Sequence, residues 1–492
     1  MFNLNTIFSR IMGIREVQRQ SIASFISHIS FTFIGFLSTM YFAHAVGAGV
    51  LGAYFLFMAY YGIVNMVTDG GFGGAVIKRI SEGDEQDAYF SASFVLRLLF
   101  VVVVVVALIA FRRYFVDLDS AGVFIWLLLA LIVSLLYGAV SSGVAGCGKM
   151  GIYAAGNFVN HVSRIFIQVA AVFLGFGAAG LAGGFVAGML IAALIELRFF
   201  DLHFVHFGWE HIKSLSTFSF WLFLTSTGAL LYSYADVVMI GYFMSNADVG
   251  VYRVVFQFTS LAVIATAALR ATLWPKVSRW GKIGERGLVE ESLSRAFSYS
   301  LLLAVPVFVG GVLLGDKLLY FFYGAEFACG YLTFVILLFV QVVNVFQYFF
   351  MMYLGALDRQ KDSFKVTAVS ATANIVLNFV LIPVIGIAGA AIATFVTMAL
   401  NAVLGRRVLS QIITIRVEYS SVLNILKACI VMALFVGSYR MFVSLSSVWL
   451  TLIPVVLGGL LYGILVLKLD RKTCDELKAI VTQMNLPWPD WL

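Results

Sequence analysis

Long apolar runs, each closed by a short polar or glycine-rich break, recur along the whole 492-residue chain. A helix needs about 20 apolar residues to cross the hydrocarbon core of a bilayer. That ruler predicts about 14 transmembrane helices, near 21–43, 51–68, 89–111, 123–143, 153–176, 181–199, 218–239, 249–268, 296–315, 331–354, 364–384, 387–405, 422–442 and 448–468. The runs are continuous rather than alternating, which excludes an outer-membrane barrel. Gly-rich breaks at 176–181 and 384–387 are read as turns between paired helices. No small-residue cleavage site follows the first apolar run, so that run is expected to stay as a span. The expected fold is an all-α integral membrane protein.

The polar positions between the spans give a direction. On one side fall 24 of the 32 Lys and Arg residues, from Arg10, Arg15 and Arg19 through the cluster 270–295 to Lys478. The other side has four, Arg112, Arg113, Lys317 and Arg440, and four more (Arg97, Arg164, Arg253, Lys427) lie inside spans. Basic residues accumulate in cytoplasmic loops, so both termini are expected in the cytoplasm and the chain in the cell's inner (cytoplasmic) membrane. This bias accounts for most of the net charge of +7 without a nucleic-acid partner. Only 12% of residues are charged and 62% are hydrophobic, far from the balance of a soluble protein. Cys147, Cys329, Cys429 and Cys474 are widely spaced, which suggests neither a disulfide framework nor a metal site, and no cofactor is indicated. The outer loops are too short for the catalytic domain of a membrane glycosyltransferase, polymerase or ligase, so no enzyme is expected. The tail 470–492, with Leu477, Ile480, Val481 and Met484, reads as an amphipathic surface helix.

An internal repeat organises the spans. Gly52-Ala53-Tyr54 matches Gly250-Val251-Tyr252, and Lys78 matches Lys276. Gly146 matches Gly355, and the break at Gly177 to Gly180 matches that at Gly386 to Gly389. The matched spans are six apart. An even number makes both copies enter from the same side, related by a parallel pseudo-twofold along the membrane normal, as in transporters with a site between halves. The expected organisation is two six-helix lobes, 1–212 and 213–410, with two further helices and the tail in 411–492.

The chain resembles a known family in four stretches: Gly49 to Tyr54, Asp69-Gly-Gly-Phe-Gly-Gly-Ala-Val-Ile-Lys-Arg79, Asp236 to Tyr252, and Asn374 to Thr394. These are similar to the polysaccharide transporters of the multidrug/oligosaccharidyl-lipid/polysaccharide exporter superfamily, in order along nearly the whole chain. The motifs are mostly Gly and aliphatic residues, so they report fold rather than substrate. The resemblance implies two lobes in a V, alternating access, and flipping of lipid-linked oligosaccharides made in the cytoplasm. Two additional C-terminal helices fit its flippase branches, with the prenyl tail in membrane lipid.

Ionisable groups within spans are costly and mark candidate sites. The fifth span carries Asn157, Asn160, His161, Arg164 and Gln168 on one face, since their spacings follow the helical repeat. One reading is a cavity wall, with Arg164 on a phosphate and the amides on sugar hydroxyls; the other is polar packing between helices. The eleventh span repeats the stripe without charge, in Thr367, Ser370, Asn374 and Asn378, and Gln341, Asn344 and Gln347 form a third in the tenth, with the same two readings. Arg97 is a further substrate-binding candidate, or a snorkelling residue. Asp236 and Arg253 are expected to pair, as a structural gate or a proton-sensitive one. His161, one turn from Arg164, is the better proton candidate of the span histidines, ahead of His28. Glu196 lies close to the inner end beside Arg198. The deep charges run neutral to cationic, which suits a polyprenyl-pyrophosphate-linked oligosaccharide better than the cationic drugs of a multidrug exporter, the competing reading. H+ or Na+ is the candidate coupling ion, and polysaccharide polymerase machinery a candidate partner.

Overall fold

The computed structural model describes residues 16–483, in which 17 α-helices account for the fold and no strand is present. In chain order they are α1 (Glu16–Asp69), α2 (Phe72–Ser81), α3 (Gln86–Ala110), α4 (Val116–Ser120), α5 (Phe124–Gly146), α6 (Met150–Phe173), α7 (Gly177–Glu196), α8 (Trp209–Phe243) and α9 (Asn246–Thr259). They continue with α10 (Ile264–Ile283), α11 (Arg286–Tyr323), α12 (Tyr331–Ala356), α13 (Gln360–Ile385), α14 (Ile387–Leu409), α15 (Tyr419–Phe442), α16 (Val448–Leu469) and α17 (Arg471–Gln483). Arg10, Arg15 and Met484 lie outside the described residues, as do the side chains of Arg19, His28, Ile480 and Val481.

Among the described residues, eleven helical stretches are long and apolar enough to cross a membrane. The difference from 14 has local causes. Gly47, at φ 75°, breaks α1 into the first two expected spans within one 54-residue element. The 24-residue α6 is long enough but is not among the eleven, because its polar stripe dilutes its apolar residues. The 35-residue α8 is likewise outside that set and long enough to cross.

Packing follows the repeat. In the first half α6 lies along α7, which also packs on α5; in the second half α14 runs between α12 and α13. The matched glycines make matched close approaches. A Cβ on Gly146 would stand 2.7 Å from Ile80 Cβ of α2, and one on Gly355 would stand 2.6 Å from the Trp274 ring of α10. The most intimate approach joins the two halves. A Cβ on Gly52 would fall 1.6 Å from the Asn246 carbonyl oxygen, and one on Gly250 would fall 2.2 Å from that of Ala48. No other residue type permits α1 and α9 to touch backbone to backbone there. The contact lies on the side away from the basic loops. It is held by Glu326, whose Oε2 accepts the Ala48 N–H at 2.8 Å, just past the Gly47 bend. One apolar core runs through this junction, with Leu51, Phe57 and Leu127 beside Val254, Tyr323 and Leu337.

The last helices join as an addition. α15 and α16 pack on each other and on α11, where the Tyr462 hydroxyl donates to the Leu302 carbonyl at 2.8 Å and Arg440 pairs with Asp316 at 2.9 Å. α17 packs on α16, and Leu477 on it is exposed.

Candidate functional site

The polar stripe of α6 stands at the edge of a cavity of about 150 Å³ that both halves line. Thr39 and Tyr54 of α1 and Arg164 and Gln168 of α6 come from the first half; Tyr234 of α8 and Arg253 and Gln257 of α9 come from the second. Two guanidinium groups therefore share the cavity, and no Asp or Glu is among its lining residues. Arg164 lies over the Phe185 ring at 5.8 Å, and its Nε is buried without a hydrogen-bond partner. Arg253 lies over the Phe256 ring at 5.4 Å. Stacking orients a guanidinium while leaving its N–H groups directed elsewhere, the geometry in which arginine binds phosphate oxygens. The two halves meet in the cavity through Thr39 and Gln257, whose side chains are 3.2 Å apart.

The rest of the stripe divides by depth. Gln168 is buried and committed, its Nε2 donating to the Tyr54 hydroxyl at 2.9 Å and to the Leu181 carbonyl at 2.7 Å. Asn157 and Asn160 are half-buried; Asn157 Oδ1 accepts from the Tyr137 hydroxyl at 3.0 Å. His161 is half-buried on the same helix. The amides thus continue a polar face from Arg164 toward the start of α6.

Arg97 goes elsewhere. It is 6% exposed and its Nη2 pairs at 3.0 Å with Asp69, the last residue of α1. Its role in this structure is to fasten α3 to the end of α1.

The Asp236–Arg253 pairing is corrected by the structure. Asp236 accepts three hydrogen bonds: from the Tyr252 hydroxyl at 2.7 Å, Asn378 Nδ2 at 2.6 Å and the Thr394 hydroxyl at 2.9 Å. Neighbouring positions on a helix are turned about 100° apart. Tyr252 therefore takes the carboxylate, and Arg253, the next residue, faces the cavity. Asn374 and Asn378 belong to the same knot rather than to the cavity lining. Asn378 Nδ2 also reaches Asn374 Oδ1 at 2.9 Å, and Asn374 Nδ2 donates to the Thr397 hydroxyl at 3.3 Å. Asn374, Asn378 and Thr397 are each 1% exposed or less, and Asn378 Oδ1 has no partner. The tenth-span stripe is only partly bonded: Gln341 donates to Thr259 and Asn344 to Gln341, while Asn344 Oδ1 and Gln347 Oε1 are buried without a hydrogen-bond partner.

Sequence reasoning did not place Arg253, Gln257 and Thr39 in one cavity. A signal was present for the first two, because positions four apart share a helical face. Thr39 carried none, since its meeting with Gln257 spans 218 residues of chain.

Comparison with known proteins agrees with this architecture. Residues 49–329, more than half of the chain, match the family model for polysaccharide biosynthesis proteins. A Haloferax volcanii protein named probable low-salt glycan biosynthesis flippase Agl15 is 28% identical over 447 residues, covering 91% of this chain and 95% of its own. A second from the same organism, named probable flippase AglR, is 24% identical over 474 residues, covering 95% and 99%. Among solved structures, lipid II flippase MurJ in an inward closed conformation superposes with a TM-score of 0.76 at 15% identity, covering 91% of this chain and all of that one. An inward-facing multidrug resistance transporter of the MATE family, in the MOP superfamily, gives 0.64 at 15% identity, covering 77% and 95%.

Proposed function

The chain belongs to the polysaccharide biosynthesis protein family, and from that premise we propose that it is a membrane flippase, not an enzyme. Its substrate is a polyprenyl-pyrophosphate-linked oligosaccharide, moved from the cytoplasmic to the outer leaflet. The observation that carries this reading is the cavity between the halves, which holds Arg164 and Arg253 and no acidic side chain. A pyrophosphate headgroup cannot leave water for hydrocarbon without large loss of solvation, and paired guanidinium groups replace that solvation. Asn157, Asn160, Gln257 and Thr39 offer amides and hydroxyls to the first sugars. The prenyl tail stays in the membrane lipid.

Movement follows from the repeat. Residues 1–212 and 213–410 rock as two six-helix lobes, and 411–492 rides on the second. The conformation described here is closed on the side away from the basic loops by the Gly52–Gly250 contact. With both termini in the cytoplasm, that side is the outer one. Opening it separates α1 from α9 and hence Thr39 from Gln257. A coupling cation, H+ or Na+, acts at Asp236, whose knot ties α8 to α13 and α14.

The test is reconstitution. Purified protein in liposomes should move a fluorescent polyprenyl-pyrophosphate oligosaccharide between leaflets, and Arg164→Ala and Arg253→Ala should each abolish most of that movement while the protein remains folded. Strong transport of cationic dyes with none of the glycolipid would overturn the reading in favour of a multidrug exporter.

A further inference from the structure

Glu196 is a buried acid with no part in the cavity. It ends α7 and is fully enclosed, with no exposed surface. One carboxyl oxygen accepts a hydrogen bond from Ser141 of α5; the other, Oε1, has no partner. That oxygen is pressed against α6, so closely that a Cβ on Gly156 would fall 1.7 Å from it. The carboxyl group therefore sits where three helices meet, and Gly156 is what makes room for it.

The surroundings supply no positive charge. Ser141 faces it from α5 with Tyr137 nearby, and Tyr137 donates to Asn157. From α6 comes the Gly156 backbone, with Tyr153 beside Tyr137; from α1, the Tyr61 hydroxyl is directed to Met189. Arg198, two residues on, is exposed, and Lys149 is taken up by Asp201 and the Phe199 carbonyl. An ionised carboxylate enclosed without a cation or sufficient donors is strongly disfavoured. A neutral carboxylic acid fits, since it can be held by one hydroxyl.

We propose that Glu196 is a proton-binding site: it carries a proton while α5, α6 and α7 are packed as here, and loses it to water at the basic-loop side when α6 moves off α7. The proton links the acid to the substrate, because α6 also carries Asn157, Asn160 and Arg164. Ionisation requires water at Oε1, and water can enter only if the Gly156 segment withdraws. Its use in transport rests on the flippase reading; the existence of the site does not.

Infrared spectroscopy of the full chain in lipid nanodiscs tests the site directly. At neutral pH a protonated-carboxyl C=O band is expected in the wild type, lost in Glu196→Gln and retained in Asp236→Asn. A wild-type spectrum with no band that Glu196→Gln removes would overturn the proposal. Ser141→Ala should shift the same band without removing it, which covers the case of a poorly folded Glu196→Gln protein; an unshifted band would overturn the assignment. In liposomes, Glu196→Gln should lower flipping about tenfold at neutral pH, roughly 1.4 kcal/mol, and flatten its dependence on pH at the basic-loop side. Flipping by Glu196→Gln with an unchanged pH profile would also overturn it. If the wild type flips no glycolipid yet shows the band, the flippase reading fails and the proton site stands.

Discussion

The helices α6 and α13 occupy equivalent places in the two halves and carry the same kind of polar stripe, yet they do opposite things. On α6, Asn157, Asn160, His161 and Arg164 remain half-exposed, and Arg164 keeps a buried Nε with no partner. On α13, Ser370, Asn374 and Asn378 are enclosed; Ser370 donates to the Val366 carbonyl of its own helix, and the two asparagines bond to each other, to Thr397 and to Asp236. One stripe stays half-exposed beside a cavity; the other is enclosed and spends most of its polar groups on partners within the protein. The difference teaches that a polar face on a membrane helix has no single meaning. What decides is whether the facing helices bring donors and acceptors, as α8 and α14 do, or apolar and aromatic rings, as Phe185 does for Arg164.

Changes on each side of this comparison should separate function from stability. The largest effect is expected from Arg164→Ala, which removes the proposed charged contact with substrate and, within the protein, the stacking on Phe185. Losing a hydrogen bond to a charged group costs about 3 kcal/mol, or roughly a hundredfold in glycolipid flipping, with the melting temperature nearly unchanged. The mirror change, Asn378→Leu, strips a donor from buried Asp236 and should cost about 2 kcal/mol in stability, read as a lower melting temperature in detergent. Comparable stability losses from the two would erase the distinction between the stripes.

Smaller effects sharpen it. Gly250→Ala overpacks the contact between α1 and α9, by about 1–2 kcal/mol. It should favour the conformation open on that side, seen as faster thiol labelling of a cysteine placed at Gln257. Glu326→Gln leaves a hydrogen bond to the Ala48 N–H but removes its charge, and should shift the same labelling by a few-fold, about 1 kcal/mol. Lys427→Ala should change flipping and stability by less than about 0.5 kcal/mol, since Lys427 is exposed and forms no salt bridge among the described residues.

Much of the fold was legible because its signals are local or repeated. Apolar runs mark the helices, and the matched glycines proved to be places where helices touch, Gly52 and Gly250 touching at the junction of the two copies. The stripe on α6 was legible as well, through spacing alone. Its meaning was not, because Phe185 and Gly188 approach it from α7 and no local pattern announces them. Cost alone leaves Arg97 open as a site residue or a snorkelling one; its compensating charge, Asp69, sits in another helix, 28 positions away. From the sequence, Asp236 near the outer end of the seventh span offers itself as a partner for Arg253, but the carboxylate takes Tyr252, the residue beside that arginine. Depth and charge can be counted along a chain, but partner choice depends on which face each helix turns inward.

The polarity of α6 also bears on how the protein is made. A segment that carries Asn157, Asn160, His161, Arg164 and Gln168 pays on insertion scales for each of them, and alone it is a poor candidate to leave the translocation channel for lipid. α7, which follows after a turn at 174–176, is strongly apolar, with a mean hydropathy of 2.1 over its best window, and lies along α6. Biogenesis must therefore treat the pair as one hairpin, with α6 retained at the channel until α7 emerges to escort it, so that the stripe never meets hydrocarbon unaccompanied.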